Sequence, residues 1–468
     1  DWLGQKIKVE QIIRRELGFR GNLKFIPHHL SHAAATYFTS GFTESAILTI
    51  DGVGEYQTTG LWKAKNNEIK ALGAINFPHS LGLLYSTFTA FLGFKVNEDE
   101  YKLMGLAAYG KPVYAAKVRR LIEVKPDGSF ALDLSYFSFR ESFQMWNEKF
   151  ERLLGKPRRA SEPILRRHKD LAASIQKVTE ETYLAALNHL SQITGCANLC
   201  VSGGVGLNAL ANGQIYSQTP FKKVHILGSA GDSGAAIGSA LYTYHATLGR
   251  PRRNTLTSLS LGSRYTNSEI EMVLQRFPVT YQKFKAEKEL IQRTVQLLSQ
   301  GKIVGWFWDR CEYGPRALGH RSILALPRPR QMKERVNVIK RREQFRPFAA
   351  SILEKHVHEY FIVPEKKHAS PFMIFCFAVK KEKRKEIAAV VHRDNTCRVQ
   401  TVSPVNGRYY LLLKEFYRQT GIPCILNTSF NLKGEPIVES PQQAIADFVK
   451  TQMDYLVIGD FLVSKTNQ

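Results

Sequence analysis

Leu199-Cys200-Val201-Ser202-Gly203-Gly204-Val205-Gly206-Leu207-Asn208 opens the stretch that decides the fold. Val224-His225-Ile226-Leu227-Gly228-Ser229-Ala230-Gly231-Asp232-Ser233-Gly234 then repeats its plan. Each is a short apolar run that breaks into glycine, and a helix-compatible segment follows each, the second reaching Leu241. Strand, glycine loop and helix written twice in succession predict an α/β arrangement with two loops side by side. Glycine lets backbone approach a ligand closely, and the free N–H groups of a helix start attract anions. Gly203, Gly204, Asn208 and Gly231 are therefore read as a nucleotide cradle with Asp232 at its tip. Glycines also make ordinary turns, and the spacing matches neither the Walker A nor the Rossmann pattern.

A second aspartate stands in the same type of position. Ala46-Ile47-Leu48-Thr49-Ile50 reads as a buried strand, and Asp51-Gly52 follows it. Ligands gather beyond the carboxyl ends of such strands. Upstream, His28-His29-Leu30-Ser31-His32 places His28 and His32 at i and i+4, one face of a helix, where two imidazoles can share a metal. A histidine pair alone is more often surface or core packing. With Asp51 and Asp232 it becomes an N/O ligand set suited to iron, manganese or zinc.

Around these strings the chain reads as a short amphipathic helix at 7–17, a hairpin turning at Asn66-Asn67, and a long amphipathic helix over 170–190. Residues 125–160 are polar and aromatic with little periodicity and are expected to form a lid or substrate-facing insertion. Residues 249–255 break the pattern and are taken as the boundary between a domain at 1–250 and one at 256–468. The second begins helix, strand, helix, strand up to Phe307. It then carries Glu312-Tyr313-Gly314-Pro315-Arg316-Ala317-Leu318-Gly319-His320-Arg321-Ser322, Lys340-Arg341-Arg342-Glu343-Gln344-Phe345-Arg346-Pro347-Phe348-Ala349, Arg398, and Asn427-Thr428-Ser429-Phe430-Asn431. Arginines and a lysine among Asn, Ser and Thr bind a triphosphate or acyl phosphate through charge-assisted hydrogen bonds. For any single arginine, a structural ion pair is an equal alternative.

Composition sets the outer limits. A chain of 468 residues with 44% hydrophobic and 23% charged content is globular and holds two or three domains. No apolar run has the roughly 20 residues of a membrane helix. Six scattered cysteines read as reduced thiols of a cytoplasmic protein. The net charge of +24 reads either as a footprint for an anionic partner, nucleotide phosphates or RNA, or as a solvated surface, the latter favoured at Lys380–Lys385.

Together, His28–Ala33, Glu100-Tyr101-Lys102-Leu103-Met104-Gly105-Leu106, the two glycine loops, 312–322, 345–349 and 427–431 resemble the O-carbamoyltransferases of antibiotic and nodulation-factor biosynthesis, of the tobramycin and cephalosporin carbamoyltransferase type. The resemblance implies an actin/hexokinase-superfamily (ASKHA) domain followed by an α+β YrdC-like domain. It implies ATP with Mg(II), carbamoyl phosphate, and a divalent metal of the Fe(II) kind. Carbamoyl-adenylate would form in the second domain, and the carbamoyl group would pass to a hydroxyl of a small secondary metabolite in the first. The implied metal ligands are His28, His32, Asp51 and Asp232, and the implied catalytic groups Asp51, Asp232, Lys340 and Arg346. Cofactor contacts fall to Lys102, Gly203, Gly204, Asn208, Gly231, Arg316, Lys340, Arg342, Arg346, Arg398, Asn427 and Ser429.

Two departures stand out. Family chains begin some tens of residues earlier, with an apolar strand and a His-Asp-Ser-Ser-type loop. The strand ending at Asp51 is thus expected to lack a neighbour, to promote homodimers through its open edge, and to leave transfer weak. Trp308-Asp309 also replaces a Gln-Gly-type pair. The rival readings are a tRNA threonylcarbamoyl-adenosine-type modification enzyme, which the charge would suit, and a degenerate non-catalytic homologue. A hydrogenase-maturation type would need CxxC zinc modules, and the sequence has none.

Overall fold

A computed structural model describes residues 8–142, 144–252, 255–364 and 369–466. Of the break at 249–255, Arg253 and Asn254 lie outside the described residues. The first part runs α1 (Val9–Leu17), α2 (His28–Thr39), β1 (Glu44–Gly54), β2 (Gln57–Lys65), β3 (Glu68–Asn76), α3 (Leu81–Phe91), α4 (Glu100–Ala107), β4 (Ile122–Val124), β5 (Phe130–Leu132), α5 (Glu148–Leu154), α6 (Arg166–Thr194), β6 (Asn198–Ser202), α7 (Ala209–Gln218), β7 (Lys223–Ile226) and α8 (Asp232–Leu241). Five of these strands form one sheet in the order β3-β2-β1-β6-β7. The hairpin turns at Asn66, whose φ of 54° suits a two-residue turn. Ala46, Ile47, Leu48 and Ile50 are all fully buried, as expected for a strand covered on both faces.

That order corrects one expectation. β1 is no edge strand: it pairs antiparallel with β2 from Glu44↔Lys65 and parallel with β6 from Ala46↔Leu199. Its backbone groups are taken up on both sides, so the proposed association edge does not exist there. The outer strand is β3, which is largely exposed. Residues 125–160, expected as a lid or substrate-facing insertion, have regular structure of their own. They hold the end of a small β4–β5 hairpin, helix α5 and an aromatic cluster in which Phe150 meets Phe88 at 5.4 Å and Trp146 meets Phe91 at 5.2 Å. Aromatic burial, invisible to a periodicity search, fixes this segment on the core.

The second part continues with α9 (Asn267–Leu274), β8 (Val279–Lys283), α10 (Glu287–Ser299), β9 (Val304–Phe307), β10 (Arg321–Ala325), α11 (Gln331–Ile339), β11 (Ala349–Leu353), β12 (Phe361–Ile362), β13 (Phe375–Val379), β14 (Thr396–Val402), α12 (Arg408–Thr420), β15 (Cys424–Ser429), α13 (Pro441–Lys450), β16 (Tyr455–Ile458) and β17 (Phe461–Lys465). Its strands join one mixed sheet in the order β12-β13-β14-β11-β15-β10-β9-β16-β17-β8. The molecule is thus a mixed α/β protein built on two large sheets. The two parts are tied by Asn212 Nδ2 donating to Ile374 O at 3.0 Å and Lys333 Nζ donating to Tyr109 Oη at 2.7 Å. Among the described residues no helix is long and apolar enough to cross a membrane.

Candidate functional site

Register brings the first centre together. Thr49 lies opposite Ser202 in the parallel β1–β6 pair, so the chain just past Thr49 and the loop just past Ser202 leave the sheet side by side. The β1–β2 ladder shifts register between Ile50 and Gly54, and Asp51 sits within that irregular stretch. Gly203 then passes so close to β1 that a Cβ would collide with the Ile50 carbonyl, and its φ of 95° disfavours any other residue. Helix α8 presses equally close on α2, where a Cβ on Gly238 would strike the Ser31 carbonyl.

The result is one cluster of four ligand atoms, all within 4.8 Å of one another: His28, His32, Asp51 and Asp232. His28 Nε2 and His32 Nε2 are 3.0 Å apart. Asp51 Oδ2 lies 3.3 and 3.0 Å from them, and Asp232 Oδ1 lies 3.7 and 3.5 Å away. Ligands about 2.1 Å from one ion sit roughly 3.0–3.4 Å from each other, which is close to this spacing. Burial disfavours a charged His32, yet hydrogen bonds to Asp232 and Asp51 outweigh it and lift its pKa to about 9. For Asp51 burial is again opposed, here by His28 and His32, which hold the carboxyl well below its usual range. A cation between these groups would take the place of that proton.

Ser202 sets the imidazole. Its hydroxyl donates to Ala230 O at 3.0 Å, so its oxygen accepts from His32 Nδ1–H at 3.2 Å and leaves Nε2 to face the cluster. Ser202→Ala should therefore weaken metal affinity about 10–100-fold, the range for such outer partners, with folding intact. Titration with Co(II) or Mn(II) measures it. His29, between the two candidate ligands in sequence, faces elsewhere. It donates from Nε2 to Gln57 O at 3.1 Å, and burial first, then His28 and His32, lower its pKa to about 4.

The other cradle residues are placed differently. Gly203 N–H donates to Ala230 O at 2.7 Å, tying the two glycine loops to each other. Gly204 leaves room for the Asp51 carboxylate, which a Cβ would approach to 2.9 Å. Asn208 caps α7, accepting from Ala211 N at 3.2 Å, and exchanges hydrogen bonds with Gln176 at 3.0 and 3.1 Å. Gly231 is the extended residue before α8. Lys102 pairs with Asp99 at 2.6 Å and reaches Glu343 of the second part at 4.0 Å.

The second centre is a cluster of cations. Lys340 is buried, and its ammonium donates to Ser429 O, to Asn431 O at 2.9 Å and to Asn431 Oδ1 at 2.7 Å. Arg342 lies on the Phe348 ring at 4.5 Å and donates to Asn337 Oδ1 at 2.7 Å. Arg346 lies on the Tyr101 ring at 4.3 Å, with Glu343 3.6 Å away. Arg316 and Arg398 complete the group, each with a buried Nε that has no partner among the described residues, as has Asn427 Oδ1. Ser429 Oγ donates to Asn431 Oδ1 at 2.6 Å. Burial first, and neighbouring arginines second, push Arg316 and Arg342 well below the usual guanidinium range. Lys340 is lowered for the same reasons. Desolvated cations that repel one another, two of them with an unfilled buried donor, have the electrostatics to hold a polyanion.

Residues 4–241 match the family described as carbamoyltransferase N-terminus, and residues 295–465 match the carbamoyltransferase C-terminus. The chain belongs to the carbamoyltransferase family. An uncharacterized protein of Synechocystis is 42% identical over 504 residues, covering 100% of this chain and 82% of that protein. Nodulation protein NolNO of Sinorhizobium fredii is 35% identical, covering 99% of this chain and 67% of its own length. Nodulation protein NolO of Bradyrhizobium diazoefficiens is 35% identical, covering 94% and 78%.

Sequence reading of this carbamoyltransferase missed Ser202 as the support of His32, Tyr101 as the platform of Arg346, and Asn431 as an acceptor for Lys340. All three lay inside strings already singled out. Only their pairing across the fold was hidden.

Proposed function

We propose that this carbamoyltransferase makes carbamoyl-adenylate from carbamoyl phosphate and ATP at the cation cluster. It then carries the carbamoyl group to a hydroxyl of a small metabolite at the four-ligand centre. The single observation that carries the reading is the cluster of Arg316, Lys340, Arg342, Arg346 and Arg398, in which the Nε atoms of Arg316 and Arg398 are buried with no partner among the described residues. Hydrolysis of carbamoyl phosphate releases phosphate and carbamate. A carbamate oxygen attacks the ATP α-phosphorus, and pyrophosphate leaves. The acceptor hydroxyl then attacks the carbamoyl carbon, its C–O bond to AMP breaks, and the hydroxyl proton passes to a base.

The protein's part is to hold charge where it develops. Lys340 and the arginines offset the phosphates of ATP, brought in with Mg(II), while Ser429 and Asn427 orient carbamoyl phosphate beside them. In the first part His28, His32, Asp51 and Asp232 would hold a divalent ion of the Fe(II) type, whose chemistry there is to polarise the acceptor and the adenylate carbonyl. The sheet order β3-β2-β1-β6-β7, antiparallel on one side of β1 and parallel on the other, supports an ASKHA-type assignment of this part. The second part is assigned as YrdC-like. Six free cysteines, five of them buried, suit a cytoplasmic enzyme.

ATP–pyrophosphate exchange tests the reading. Carbamoyl phosphate is expected to support exchange, and threonine with bicarbonate is not. The net charge of +24 favours one competitor, tRNA threonylcarbamoylation, and the opposite pattern would establish it. Exchange with neither would mark a degenerate homologue.

A further inference from the structure

The turn between β9 and β10 is folded over one buried carboxylate. Glu312 is 6% exposed, and its Oε1 accepts from the backbone N–H groups of Leu318 and His320 at 2.8 Å each and of Arg321 at 3.1 Å. Oε2 also accepts from Arg321 N at 3.1 Å. The base of the turn is strapped to the preceding segment: Cys311 N donates to Ser263 O at 3.0 Å and Tyr313 N to Leu259 O at 2.7 Å. Between these anchors the turn reaches both centres. Tyr313 Oη donates at 2.6 Å to Ser233 O, the residue after Asp232, and Arg316 stands in the cation cluster three positions later.

We propose that Glu312 is a positioning residue that fixes this turn and through it the guanidinium of Arg316, an inference that rests on reading the cation cluster as the phosphate site. Arg316 has little else to hold it: among the described residues its side chain makes one hydrogen bond, to Leu207 O at 3.5 Å, and its Nε has no partner. Its place is set by its backbone, and its backbone is set by Glu312. The carboxylate suits the task because it is acceptor-only and can take several converging N–H donors at once. Glutamine keeps Oε1 for Leu318 and His320 but turns a donor towards Arg321 N. Alanine leaves the N–H groups of Leu318, His320 and Arg321 without this acceptor.

Inorganic pyrophosphate binding to the full chain, measured by calorimetry beside thermal melting, tests the proposal. Glu312→Ala is expected to weaken binding about tenfold or more, and Glu312→Gln by no more than about threefold. Glu312→Asp keeps the charge but withdraws it by one methylene. It is expected to lose about fivefold, and it carries the test if Glu312→Ala does not fold. A bystander role in stability would lower the melting temperature and leave the affinity of the folded protein unchanged. In Arg316→Ala protein, a second change at Glu312 should cost little further affinity, because the group it positions is gone. Equal losses from Glu312→Asp with and without Arg316, or native affinity in both Glu312→Ala and Glu312→Asp, would overturn the role of Glu312 alone. Failure of the native chain to bind pyrophosphate would overturn the phosphate-site reading and this inference with it.

Discussion

His32→Ala protein is expected to bind a divalent ion at least about 100-fold more weakly than the native chain, a larger loss than that for an outer partner such as Ser202. His32 is completely buried and contributes the nitrogen nearest Asp51, at 3.0 Å. Its removal leaves His28 and Asp232, the two more exposed ligands, to hold an ion beside a carboxylate that has lost its closest neighbour. The control is His29→Gln. His29 is equally buried, but its ring nitrogens are engaged by Thr49 Oγ1 at 2.9 Å and Gln57 O at 3.1 Å, so metal content should stay within about threefold of native. Metal analysis after dialysis against Fe(II) or Mn(II), repeated for both variants, distinguishes the ligand from its neighbour. Full occupancy in the His32→Ala protein would place the ion elsewhere.

The four-ligand centre was legible because each of its parts leaves a local mark. The i, i+4 histidines need only a helix, and the two aspartates need only a strand followed by glycine. What local pattern does not carry is the partner across the fold. Ser202 supports His32 because Thr49 and Ser202 share a register in a parallel pair, a fact of topology and not of spacing. Tyr101 lies under Arg346 although 245 positions separate them, because α4 of the first part meets the loop before β11. Asn208 shows the converse ambiguity. An asparagine after a glycine loop satisfies both a phosphate-contact pattern and a helix cap, and here it accepts from Ala211 N and pairs with Gln176. The expected open edge at β1 failed for a similar reason. Its neighbours β2 and β6 both follow it in the chain, one directly and one some 150 residues later, and the distant pairing leaves no local mark.

The two centres should fail separately. Arg346→Ala removes a guanidinium held between the Tyr101 ring and Glu343, and with it a fixed fork that lysine does not reproduce. Carbamoyl-phosphate-dependent ATP–pyrophosphate exchange is expected to fall by two or more orders of magnitude, the scale of losing ~3 kcal/mol of transition-state charge stabilisation. Arg346→Lys should recover only a small part, since it restores charge without the bidentate geometry. Asp232→Asn acts at the other centre. Its side chain is 79% exposed, so the substitution should leave the fold and the exchange reaction nearly intact. Transfer to a hydroxyl acceptor should stop, because the neutral amide is a poorer ligand and no longer balances His28 and His32. The order of assay matters: under the proposed function, exchange reads the cation cluster, whereas carbamoylated product requires both centres. Equal loss of both activities in both variants would mean that one shared site does all the chemistry. Loss of exchange in Arg346→Ala, with exchange retained and product lost in Asp232→Asn, is the outcome that two centres in two parts of the chain require.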